Sequence, residues 1–287
     1  MFLTTYKTTM KNLFRSVIFW ITFILVIVFI MSRSVQGCYI GDTADDFVFP
    51  YNSYMTDLTF NVIRVWLMEL TAIPIFATIT TLLVLNRDHG DGFFEIERAG
   101  GLKPSGYFLG RLAALVTVNI VTAVVSAFMA FHWYVYSRGG VAGMELRDYL
   151  SDSTVRILRV FTLCAIPAIL LFIGLTYMIG SIFKKGFAGG IIGIGYALLT
   201  FLFNTQLEYR MSAMYLDIFN PVSRNIYRHW SWYDINGAEW DRLFHIARHG
   251  FLDPFMLKDV VIWTSAILGS AVLCYAVSYV CTRMRKI

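Results

Sequence analysis

The chain has 287 residues, of which 57% are hydrophobic and only 15% charged. Soluble domains carry about 25% charged residues, so this composition and a mean hydropathy of +0.61 exclude an ordinary soluble enzyme. The net charge of +5 does not point to nucleic acid, because no basic run exceeds the tail Arg283-Met284-Arg285-Lys286, a juxtamembrane type of anchor. The apolar runs are continuous, whereas barrel strands alternate over about ten residues. The expected class is therefore an all-α integral membrane protein.

Residues 1–15 carry Lys7, Lys11 and Arg15 and predict a helix lying on the membrane surface. Residues 16–32 form the first uncharged run, long enough for a short span. Val35-Gln36-Gly37-Cys38 resembles a lipoprotein cleavage box, but Arg33 separates it from the apolar run, so the run is read as an uncleaved span. The further spans are expected at 65–86, 112–137, 160–183, 186–207 and 260–282, with a long amphipathic region at 208–259. Pro74 and Pro167 are expected to kink the second and fourth spans. Six spans place both termini on one side. The 24 basic residues divide evenly between the two sides, but the compact basic elements, Lys184-Lys185 and the tail, and six of the seven lysines fall on the side of the termini, which is therefore read as the cytoplasm.

The longest polar interruption of the first half is residues 86–111, NRDHGDGFFEIERAGGLKPSGYFLGR. Asp91 suits an N-cap, and Glu95 and Glu97 lie near a helix start, where the dipole favours negative charge. Gly100 and Gly101 supply a left-handed stop. Pro104 suits the first turn of a new helix, having no N–H to lose. A helix of about two turns, a stop and a restart follow from these residues.

An acidic helix, Glu97-Arg98, Gly100-Gly101, Pro104-Ser105 and Gly110-Arg111, in that order, resembles the first cytoplasmic loop of permease subunits of type 2 ABC exporters. The resemblance implies six transmembrane helices with a short cytoplasmic coupling helix and amphipathic outer helices. It also implies that Asp91, Phe93, Phe94, Glu95, Glu97, Arg98, Gly100 and Gly101 engage a separate ATPase subunit. ATP and Mg would sit on that partner, and a second permease chain, identical or different, would complete the path. No G-x-x-x-x-G-K-[ST] phosphate loop occurs in this chain, so ATP hydrolysis is expected of the partner alone.

Glu69 is the one acidic residue inside an expected span. A charge at mid-membrane costs about 2.5–3.5 kcal/mol, so Glu69 is either a translocation-path group or an interfacial carboxylate paired with Arg64. In the fifth span Gly186/Gly190 and Gly189/Gly193 stand four apart, the spacing at which small residues let helices approach closely. In the outer region Trp240, Leu243, Phe244 and Ala247 recur at helical spacing and predict a helix at the outer interface. His245 and His249 stand four apart, but Ile246 occupies the place of the metalloprotease glutamate, so no metal is expected. Cys38, Cys164, Cys274 and Cys281 form no C-x-x-C and no redox or metal motif. A rival reading, an ion-gradient transporter or channel, predicts internal repeats and mid-membrane charges. A second rival, an intramembrane enzyme, needs a nucleophile–base pair, and no such pair stands at motif spacing.

Overall fold

The structure is a computed structural model, and it describes residues 2–36, 72–87, 101, 103–137, 166–183, 186–206 and 254–284. The described residues form seven helices: α1 Phe2–Arg15, α2 Val17–Gln36, α3 Ala72–Arg87, α4 Pro104–Ser137, α5 Ile166–Phe183, α6 Gly186–Gln206 and α7 Pro254–Met284. Within these, Pro104–Ser126, Ile166–Phe183 and Thr264–Met284 are each long and apolar enough to cross a membrane. The bent pair α1–α2 passes the same test as a fourth.

The helix ends differ from the expected spans for local reasons. α2 begins at Val17 and not Ser16, because Ser16 acts as its N-cap: Phe19 N donates to Ser16 Oγ at 3.4 Å. α4 begins eight residues before the expected third span. Lys103 C=O accepts from Tyr107 N at 3.2 Å, and Pro104 takes the first helical position, where proline fits. α7 likewise starts at Pro254, inside the expected outer region. Pro74 and Pro167 stand in the first described turns of α3 and α5. The residues on which a kink there would depend lie outside the described residues.

α1 and α2 meet at 73°. Aromatic rings fill the corner: Phe19 stands 5.5 Å from Phe14, 5.3 Å from Trp20 and 5.7 Å from Phe76 by ring centroids. Trp20 Nε1 donates to Phe14 O at 2.8 Å, tying the second helix back to the last turn of the first.

One core joins α1 to α5, with Leu13, Phe19, Ile30, Phe76, Leu115 and Ile173 at its centre. α7 packs along α5, where Ile267 and Ala271 meet Leu171. Tyr275 OH donates there to Leu170 O. Contacts fix the helix directions. Phe108, near the start of α4, packs on Tyr177 near the end of α5 and on Tyr279 near the end of α7. Gly189, near the start of α6, lies against Thr176 and Gly180 near the end of α5. Leu82, near the end of α3, lies against Gly190. The starts of α4 and α6 and the ends of α3, α5 and α7 therefore share one face of the bundle, and from α3 to α7 successive helices alternate in direction.

The expected glycine packing of α6 is present and is tighter than spacing alone required. A Cβ on Gly189 would overlap Thr176 O and stand 3.0 Å from Gly180 N. One on Gly193 would stand 2.6 Å from Thr78 Cγ2 and 2.8 Å from Thr176 Oγ1. Gly190 meets Leu82 on α3, and Gly195 has open space beside it.

Candidate functional site

Two places in the described residues carry polar or conformational features that packing alone does not require. The first is the base of α4. Gly101 has φ +81°, the left-handed conformation expected of the stop, and side chains with a Cβ resist it. Two residues on, Lys103 caps α4 and Pro104 opens it. At Gly110 the first turn of α1 crosses α4 closely: a Cβ there would stand 2.9 Å from Phe2 O and 2.9 Å from Thr5 Cβ. Arg111, 4% exposed, lays its guanidinium over the Tyr107 ring, 4.2 Å from the centroid. Such stacking on a desolvated ring is worth about 2 kcal/mol.

Gly110 lies six residues beyond Pro104. At 1.5 Å per residue the first ~9 Å of α4 projects past the level at which α1 crosses it. The end of α3 lies on the same face.

The second place is a seam of hydroxyl and amide side chains through the bundle. Thr78, Thr80, Asn119, Ser126 and Thr176 are each 0% exposed, and Thr122 is buried beside them. Most hydroxyls donate to the carbonyl one turn back, as Thr78 does to Pro74 O at 2.9 Å and Thr81 to Ala77 O at 2.7 Å. That pattern satisfies a hydroxyl inside a membrane without water. Asn119 departs from it. Its Nδ2 donates to Thr80 Oγ1 on α3 at 3.0 Å and to Leu115 O at 2.8 Å. Among the described residues, Asn119 Oδ1 and Thr176 Oγ1 find no partner.

Of the residues predicted from sequence, Gly101 is described and adopts the expected backbone. Asp91, Phe93, Phe94, Glu95, Glu97, Arg98 and Gly100 lie outside the described residues, as do Glu69 and the outer-face residues Trp240, Leu243 and Phe244. The outer histidines, His245 and His249, lie outside them too. The seam escaped the sequence reading because no charge marks it. Its signal was present: Asn119, Thr122 and Ser126 recur at i, i+3 and i+7, one face of a helix, in an otherwise apolar run. Comparison with protein-family models finds no match to this chain, and comparison with curated proteins finds none either.

Proposed function

We propose that the chain is the membrane-spanning subunit of an ATP-driven exporter of the type 2 ABC class. In this reading it crosses the cell membrane six times with both termini in the cytoplasm. It couples to a separate ATPase subunit and pairs with a second permease chain. The observation that carries the reading is the base of α4. A left-handed glycine stop and a proline restart lead into a helix that projects beyond α1. A short helix ahead of Gly101 would stand at the far end of that projection, within reach of a soluble partner and rigidly joined to α4.

The chain's own part in the mechanism is mechanical. A helix of about two turns is marginal alone, since nucleation costs more than so few residues recover. It would be held by the partner on one side and by α3 and α4 on the other. Phe93 and Phe94 would supply the apolar anchors, and burying one such ring is worth about 1.5–3 kcal/mol. Glu97 and Arg98 would set register by charge pairing. Movement there would pass to α4 and, through Gly110, to α1.

The test is copurification of the chain from its native membrane. An ATPase subunit should copurify. Phe93→Ala/Phe94→Ala and Glu97→Arg should weaken its retention while leaving membrane insertion unchanged. ATP hydrolysis that survives removal of every copurifying subunit, or unaltered retention in all these variants, would overturn the proposal.

A further inference from the structure

We infer that the outer face of α1 is a binding surface for the headgroups of anionic phospholipids, with Lys7, Lys11 and Arg15 as its cations. Three observations converge on this surface, and none of them depends on the exporter reading.

The first is orientation. α1 meets α2 at 73°, so with α2 upright α1 lies within about 17° of the membrane plane, a small departure beside the usual tilt of spans. Trp20, exposed at the corner, is the residue type that settles at headgroup level.

The second is the division of the helix surface. Thr5, Thr9 and Leu13 are buried, four apart, and form the face that rests on the bundle. Lys7, Lys11 and Arg15 are also four apart and all exposed, which places them in one stripe on the opposite side. Leu3 and Phe14, 56% and 45% exposed, lie beside that stripe at 100° per residue. In water the exposed part of such side chains would gain nothing from its position. At the boundary of headgroup and acyl chain they would insert, while the cations stay at phosphate level.

The third is charge. The first carboxylate in the chain is Asp42, so α1 carries no acid of its own. Among the described residues, Arg283 at the end of α7 is a further exposed cation at this end of the bundle. A helix that carries three exposed cations and no acid, and that faces headgroups, selects anionic lipid over zwitterionic lipid. Because Gly110 seats Phe2 and Thr5 directly on α4, the helix that holds these lipids rests on the base of α4.

The experiment uses the full chain in micelles doped with equal amounts of phosphatidylglycerol and phosphatidylcholine. Retained lipid is measured by mass spectrometry after gel filtration. The wild type should retain phosphatidylglycerol preferentially. Each replacement, Lys7→Gln, Lys11→Gln or Arg15→Gln, should lower the retention ratio by up to about fivefold, with most of the preference lost in the triple variant. Lys7→Arg/Lys11→Arg should keep the wild-type ratio. Should the triple variant fail to fold, the three single variants carry the same test. Equal retention of both lipids by the wild type, or a triple-variant ratio within about twofold of the wild type, would overturn the inference. Displacement of phosphatidylglycerol by inorganic phosphate, but not by chloride at equal ionic strength, would also overturn it, because the ligand would then be the free anion.

Discussion

Glycine brings two pairs of helices into close approach, and the two crossings are built differently. Where α6 meets α5, the atoms facing Gly189 are backbone, Thr176 O and Gly180 N, and α6 is held on a second side by Leu82 and Thr78 of α3. Where α1 meets α4, Gly110 faces Phe2 O and Thr5 Cβ, but α1 touches the bundle along one face and leaves its cations exposed. The first crossing is enclosed, so nothing there can move without disturbing three helices. The second is held along one face of α1 only, so a disturbance there is expected to stay closer to α1 itself. Close approach alone therefore does not identify a structural centre; how many sides are held does.

The largest effect expected from this difference is at Gly189. Gly189→Val would press a branched side chain into backbone that cannot yield, and overpacking of this kind costs about 1–3 kcal/mol or more. Thermal unfolding of the purified chain should show a large loss. Gly190→Ala is the comparison, because its new methyl meets only the far end of the Leu82 side chain, which can rotate aside. If Gly189→Val melts no lower than Gly190→Ala, the crossing is not the tight one described.

At the second crossing, Gly110→Val should displace the first turn of α1 and cost about 1–3 kcal/mol locally. The bundle should then melt close to the wild-type temperature, while trypsin cleaves faster after Lys7 and Lys11. A fall in global stability with no change in cleavage would show that α1 belongs to the enclosed part of the fold.

Gly101 separates conformational from steric demand. Among the described residues nothing lies within 4 Å of a Cβ built there, yet its φ is +81°. Gly101→Ala and Gly101→Ser should therefore cost the same, about 1 kcal/mol, from backbone strain alone. Gly101→Asn should cost less, since Asn tolerates this conformation. A clear difference between Ala and Ser in the melting temperature would mean that contacts, and not the backbone, decide the site.

Much of the helical layout was legible because apolar runs bounded by charge or proline report directly on burial in a membrane. The helix starts were less so. Ser16 and Lys103 act as caps through backbone geometry, and the run of uncharged residues alone set the third span to begin eight residues late, although Pro104 marked the helix start and α1 ends at Arg15 as expected. The four-residue spacing of Gly189 and Gly193 foretold close packing, and Thr176 touches both positions. It did not foretell the partner, because which helix lies opposite is a tertiary property. Gly101 was legible from the chemistry of the stop, since only glycine takes that backbone without strain. The hydroxyl seam was not, since threonine in an apolar run satisfies itself on its own helix and leaves little trace of which neighbours it meets.

The smallest effects are expected in that seam, and they differ in sign. Asn119 Nδ2 donates to Thr80 Oγ1, and Thr80 in turn donates to its own helix at Phe76 O, 3.0 Å away. Both residues are fully buried. Thr80→Val preserves shape and removes the acceptor, leaving Asn119 only its bond to Leu115 O. Asn119→Leu removes the other partner. Hydrogen bonds between helices in a membrane average about 0.6 kcal/mol in double-mutant cycles, so the Thr80–Asn119 coupling should be about that size and favourable. Thr176 offers the opposite case in the same layer. Its hydroxyl is buried against Gly193 and, among the described residues, has no acceptor. Thr176→Val keeps the volume and removes an unsatisfied polar group, which should leave stability unchanged or raise it. Parallel unfolding curves for Thr80→Val and Thr176→Val decide the point. Equal losses in both would mean that Thr176 makes a hydrogen bond beyond the described residues and that the seam is satisfied throughout. A loss in Thr80→Val alone, cancelled when Asn119→Leu is added, would isolate the hydrogen bond from Asn119 on α4 to Thr80 on α3.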